Sequence, residues 1–471
     1  MLSVPPTRPA PLAAALWRTA LAGALGIALA ACAASPSPAP RASPAPLPAA
    51  RAARTPRELP PPISQVLPNR LRLIVQEHRA SNIVAIYLWV GVGVRYDKPD
   101  ELGYSHFMEH MLFKGTDAWG PGYIDRAIEG VGGRSNAVTS FDYTTFFFVL
   151  PVDAMDVGIR ILSEMAFRSI FAPAEIDRER EVIFEEARIE ADNPRTAIIR
   201  QLYALVFDGN PYGRPVLGTP ATMNAADHDR LMAYYKHYYT PENMVLVVVG
   251  PVDPVAVRAA VDGTFGRVPA DSLRPTPALA PPPLTALIAR TVERPEQQAM
   301  LAMGWQAPRS DDASGDAVDL LTTILAGTES SRLTRRLRDE EQIVSGITMN
   351  YAALMGGGIV TLRAELEAKD IDRAERIILE EIARIQETGP TEEERQLALT
   401  RFEAQHAFDT ETSEGLAFAY GIAEMTWNLD AELHYVERLR KVSAEQIRDA
   451  ARTYLSRVNY ARLAFVPRSR Q

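Results

Sequence analysis

Cysteine is nearly absent. Cys32 is the only one in 471 residues, which excludes an internal disulfide framework. Histidine is scarce as well, at 7, so any two that share a motif carry information. There is no long run of Lys and Arg, and the formal net charge is −9. Both facts argue against nucleic acid as a partner, because phosphate contacts need clustered cations. The apolar stretch from Ala20 to Ala31 falls short of the ~20 residues that a spanning helix needs. What remains is ordinary for a globular protein: 47% of residues are apolar and 23% charged. At roughly 100–200 residues per domain, the chain has room for two or more.

Arg8 and Arg18 precede the short apolar stretch, which reads as a signal peptide. It ends in Leu29-Ala30-Ala31-Cys32, which resembles the bacterial lipobox. The resemblance implies cleavage before Cys32 and lipid on that residue, and Ala33 in place of Asp favours the outer membrane. The expectation is a periplasmic protein held to a bacterial membrane by its lipid alone. Residues 1–32 form the signal peptide on this reading. Residues 33–62, rich in Pro, Ala and Ser, form a tether that cannot pack a core.

From Ile63 the pattern turns globular. Residues 70–97 read as strands, with Leu71, Leu73 and Val75 alternating and Ile83 to Val90 a buried run. Then come a helix with His106, a turn at Gly130 to Gly133, a strand from Ser135 to Leu150, helices near Ala154–Phe167 and Pro173–Asp192, and a strand Met244–Gly250. Pro269 to Pro283 reads as a linker. Beyond it the order recurs: strand Thr291–Trp305, helix Ala317–Arg338, strand Gly357–Leu366, helix Asp370–Glu387 and a charged helix Pro390–His406. The second half therefore reads as a diverged copy of the first. The expected domains are 63–268 and 286–471, joined by 269–285. Where the first copy has His106 to His110, the second offers Val318, Leu321 and Thr322, which do not suit a metal.

His106-Phe107-Met108-Glu109-His110 carries the chemistry. Histidines at i and i+4 leave one helix face close enough to share an ion. Glu109, at i+3, lies on the same side, placed to take a proton from water at the metal rather than to bind it. The His-x-x-Glu-His order is that of the inverted zinc peptidases. With so few histidines, chance predicts on the order of 0.01 such motifs. A catalytic zinc usually takes a third protein ligand. The acidic helix around Glu179 to Glu186 is the best source, since Glu179 and Glu186, seven apart, share a face. Val182 and Ile183 between them are expected to pack inward. Spacing alone leaves Glu185 and Glu186 both open.

At this point the chain resembles the pitrilysin family of inverted zincins, in the branch of the mitochondrial processing peptidase and its bacterial relatives. His106 through Thr116 follows that family's zinc helix almost residue for residue. Pro211-Tyr212-Gly213-Arg214-Pro215 and Tyr239 to Met244 follow further family segments. The resemblance implies one Zn2+ per chain on His106, His110 and Glu186, with Glu109 and Glu179 as catalytic carboxylates. It also implies that Asn136 and Ala137 open an edge strand that pairs with substrate. The implied fold is α+β, with two homologous domains, each a mainly antiparallel sheet packed with helices, facing each other as a clamshell. The implied activity is a zinc endopeptidase acting on peptides or unfolded segments in an enclosed cavity.

One departure bears on partners. Active members of the family carry, in the second half, an Arg followed seven residues later by a Tyr that contacts substrate. Here Arg338 is kept, but Ser345 stands at the Tyr position. The resemblance then implies a zinc-bearing subunit whose homologous partner supplies an Arg/Tyr pair. The alternative is a homodimer in which Arg338, or Tyr351, suffices.

Overall fold

The computed structural model describes residues 59–271 and 280–468. Cys32, the signal peptide and most of the tether lie outside the described residues, as does the middle of the expected linker.

Two sheets organise the chain. The first contains β1 (Ile63–Val66), β2 (Arg72–Glu77), β3 (Ile83–Val90), β4 (Arg134–Thr139), β5 (Thr144–Pro151) and β6 (Met244–Gly250). Its order is β1-β2-β6-β3-β5-β4, antiparallel except for the parallel pair β2/β6. The second contains β7 (Ile288–Arg294), β8 (Ala299–Ala307), β9 (Val344–Ala352), β10 (Gly358–Leu366) and β11 (Ala461–Pro467). Its order is β7-β11-β8-β10-β9, antiparallel except for β7/β11. Without β1 the two orders are the same, strand for strand. The internal repeat read from pattern is thus a repeat of topology: two homologous α+β domains set against each other as a clamshell.

The motif helix (Tyr104–Met111) follows β3, and the helix Gly315–Ala326 follows β8 at the same point of the repeat. Val318, Leu321 and Thr322 are all buried there, so in the second half this helix serves as core. The long acidic helix Pro173–Asp192 has its counterpart in Glu392–Asp409.

The next helix of each half crosses over. Pro194–Val206, from the first half, packs on β8 and β11 of the second sheet, burying Ile198, Leu202 and Val206 with Met300, Ala302 and Phe465. Ser413–Thr426, from the second half, packs on β3 and β6 of the first, burying Leu416, Ala417 and Tyr420 with Tyr87, Trp89 and Val247. Each domain thus completes the other's core. Arg134–Glu414 and Arg72–Glu424 ion pairs flank the second crossing.

Four expectations change. The strand expected over Ser135–Leu150 is a hairpin, β4 and β5, with Asp142 in its turn. The one over Thr291–Trp305 is likewise two strands, broken at Pro295 and Glu296. The helix expected over Ala317–Arg338 stops at Ala326, where Ser331 Oγ bonds Thr323 O at 2.7 Å, and a wide turn follows at Thr334–Glu340. Val182 does not pack inward: Ile183 is fully buried, while Val182 is 48% exposed.

Candidate metal centre

The motif helix is fixed at its N-terminus by a buried carboxylate. Asp97 accepts hydrogen bonds from Gly103 N at 2.7 Å, Ser105 N at 3.3 Å, Ser105 Oγ at 2.5 Å and Tyr234 Oη at 2.7 Å. These satisfy N–H groups that a helix start leaves without partners. Burial pushes the Asp97 carboxyl up to about 7, against the lowering effect of those donors. Gly103 has φ +88, and a Cβ there would meet the Gly218 backbone at 2.6 Å, so only glycine fits this entry.

One turn apart on that helix, His106 and His110 bring their rings to a centroid distance of 4.7 Å. The acidic helix packs against the motif helix and delivers Glu186. Glu186 Oε2 lies 3.6 Å from His106 Nε2 and 3.5 Å from His110 Nε2. Among the described residues, these three form the single His/Cys/Asp/Glu group with ligand atoms converging closely enough to hold a metal, all within 4.8 Å. Glu185 points elsewhere: it is exposed and pairs with Arg188 at 2.6 Å.

The donor set fits zinc. Two imidazole nitrogens and one carboxylate oxygen are a common catalytic set, and tetrahedral bonds of about 2.1 Å separate ligands by about 3.4 Å. The observed 3.5 and 3.6 Å match that spacing. The two imidazoles are shifted in opposite directions. Burial first, then the charges of His110 and Arg200, hold His106 well below the usual histidine range. Burial also works against charge on His110, but hydrogen bonds to Glu179 and Glu186 carry it up to about 9.

Glu109 stands beside this group rather than in it, with Oε2 at 4.0 Å from His106 Nε2. Burial raises its carboxyl above the usual range, while hydrogen bonds with the Thr139 side chain and backbone pull the other way. Thr139, the last residue of β4, escaped the sequence reading, because the strand's end is not visible when β4 and β5 are read as one. Glu179 lies behind His110, with Oε2 at 3.0 Å from Nδ1.

Asn136 and Ala137 sit in β4, an outer strand paired only with β5 among the described residues. Asn136 Oδ1 accepts from Ala137 N at 2.9 Å. Arg338 is not drawn into the centre: it pairs with Asp339 at 2.8 Å and with Glu329. Ser345 accepts from Gln298 Nε2 at 2.7 Å on β9, and Tyr351 donates to Pro308 O at 2.8 Å.

Comparison with known proteins agrees in family. Residues 72–220 match the family described as Insulinase (Peptidase family M16), and 225–402 match the Peptidase M16 inactive domain. A Bacillus subtilis protein, Uncharacterized zinc protease YmxG, is 26% identical over 82% of this chain and 93% of its own. A solved protease from Helicobacter pylori superposes with a TM-score of 0.82 at 20% identity, covering 87% of this chain and all of that one. The periplasmic protease PqqL from Escherichia coli superposes with a TM-score of 0.73 at 21% identity, where 87% of this chain covers 48% of that one. At such identities the structural likeness speaks for the fold alone. With both of its domain types matched in order and the same two-domain fold, the chain belongs to the M16 peptidase family.

Proposed function

We propose that this chain is a zinc metalloendopeptidase, with one ion held by His106, His110 and Glu186. The observation that carries the reading is the convergence of those three donor atoms with Glu109 alongside. A bound zinc would supply Lewis acidity, lowering the pKa of water and polarising the scissile carbonyl. Glu109 takes the proton from the attacking water and hands it to the departing amine nitrogen as the C–N bond breaks. Thr139, whose side chain and backbone bond the Glu109 carboxylate, orients it. Glu179 holds the His110 ring. An extended peptide adds to the free edge of β4 near Asn136 and Ala137, which favours peptides and unfolded segments over folded proteins.

Two further parts belong to the reading. A homologous partner closes the chamber and supplies an Arg/Tyr pair, in keeping with the match to about half of PqqL. A lipid on Cys32 keeps the enzyme at the periplasmic face of a membrane, probed by fatty-acid labelling of wild type against C32S. No helix among the described residues is long and apolar enough to cross a membrane.

The deciding test pairs metal analysis with cleavage of a quenched unstructured peptide. Glu109→Gln is expected to keep zinc near the wild-type level and to lose ~10²-fold or more in turnover. Near-normal turnover in that variant would refute the assignment of the base.

A further inference from the structure

The two histidines are backed differently. His106 Nδ1 is buried with no hydrogen-bond partner. His110 Nδ1 meets Glu179 Oε2 at 3.0 Å, and the other oxygen, Glu179 Oε1, meets Lys114 Nζ at 2.8 Å. One side of the centre is therefore held by packing, the other by a chain of polar contacts that ends on a lysine.

We propose that Lys114 is a positioning residue of the metal centre: by gripping Oε1 of Glu179 it keeps Oε2 on His110 Nδ1, and so aims His110 Nε2 at the ion. The inference rests on the reading of His106, His110 and Glu186 as a zinc site.

Charge supports it. Glu109, Glu179 and Glu186 place three carboxylates around the histidines. A dication offsets two negative charges, and Lys114 offsets the third. Burial supports it as well. The Glu179 side chain is 8% exposed, and a carboxylate taken that far from water needs partners on both oxygens. Deprived of Lys114, Glu179 would have one oxygen free and could rotate away from His110 or toward the ion. The backbone holds Lys114 in place. It sits just past the end of the motif helix, with its N–H on Met111 O at 3.0 Å. Gly115 follows with φ +118, and Thr116 N bonds Trp119 O at 2.8 Å, so the chain turns sharply behind it. A lysine on such a turn is aimed rather than tethered.

The test uses the full chain with zinc alone as ligand, its dissociation constant read by competition with a chromogenic chelator. Lys114→Met is expected to weaken zinc binding about 10-fold or more, the range for outer partners of a ligating histidine. Thermal unfolding of the metal-free protein reports whether the fold is intact. Lys114→Arg is expected to recover most of the affinity, since a guanidinium keeps the charge and the donors. Glu179→Gln is expected to weaken zinc to a similar degree. In the double variant the two losses should not add, because Lys114 acts through Glu179. Wild-type affinity in Lys114→Met, or losses that add in the double variant, would overturn the proposal. His110→Ala separates the two levels. If it abolishes binding while Lys114→Met does not weaken it, only the Lys114 proposal falls. If zinc binds His110→Ala as it binds wild type, the metal-centre reading falls and takes the proposal with it.

Discussion

Gly421 lies so close to Trp89 that a methyl group on it would sit 1.9 Å from the indole Nε1. Trp89 belongs to the first sheet and Gly421 to the helix that the second half lays across it. A side chain therefore does not fit between the two halves at this point of the crossing. Gly304 plays the same part at the other crossing, where a methyl would meet Val206 at 2.7 Å.

Gly421→Ala should therefore destabilise the whole chain, although alanine is the better helix former. Overpacking of a filled core typically costs about 1–3 kcal/mol. A urea titration followed by tryptophan fluorescence should show a lower midpoint. An unchanged or higher midpoint would mean that the helix can slide off Trp89 without loss.

The choice between neighbouring acids is testable by metal content. Glu186→Gln should sharply lower zinc occupancy, because its Oε2 converges on both imidazole Nε2 atoms, at 3.6 and 3.5 Å. Glu185→Gln should bind zinc like wild type, since it removes only a solvent-exposed pair with Arg188. The reverse pattern would move the ligand by one residue.

The histidines should differ in what they release. His106 is neutral in the metal-free protein, its pKa lowered well below 6.5. His110 is charged, its pKa raised to about 9. A ligating imidazole must be neutral, so zinc binding at pH 7.5 should expel about one proton, from His110. The share released by His110 should fall toward zero as pH rises through about 9. Calorimetry in buffers of different ionisation enthalpy gives the number directly. No proton released at pH 7.5 would mean that His110 is already neutral before metal arrives.

The centre was legible in sequence because its chemistry is compressed into a helix turn: His106, Glu109 and His110 are fixed relative to each other by 3.6-residue periodicity alone. Glu186 needed more. Spacing put it on a face with Glu179 but could not exclude Glu185, and the packing of two helices decided between them. Thr139, Lys114 and Asp97 were not picked out, because each contributes through a turn or a strand end whose direction no local pattern specifies. The strand order was hidden for the same reason, since β6 inserts between β2 and β3 from far along the chain. The crossed helices were invisible too: Pro194–Val206 and Ser413–Thr426 carry nothing that tells which sheet they cover.

Arg338 is engaged with Asp339 and Glu329, and Ser345 with Gln298. Tyr351, the other candidate, has its hydroxyl on Pro308 O and a pKa raised by burial, so it serves the second domain's structure. None of these bonds reaches the histidines. A developing oxyanion over the centre would then lack a donor from this chain's second half, and one such donor is typically worth ~2.7–4 kcal/mol, or 10²–10³ in turnover. The crossed helices hold the two halves of this chain together, and in the proposed function a second chain supplies that donor. The purified chain, loaded with zinc, should therefore cleave an unstructured peptide weakly. A homologous chain that carries Arg and Tyr at the positions of Arg338 and Ser345 should raise turnover by about 10²-fold or more. Replacing that partner's Tyr with Phe should remove the gain without changing complex formation on a sizing column. Full activity from the isolated chain would exclude the heterodimer and point to a homodimer in which a rearranged Arg338 suffices. Arg338→Ala in that homodimer should then abolish turnover while zinc binding is unchanged.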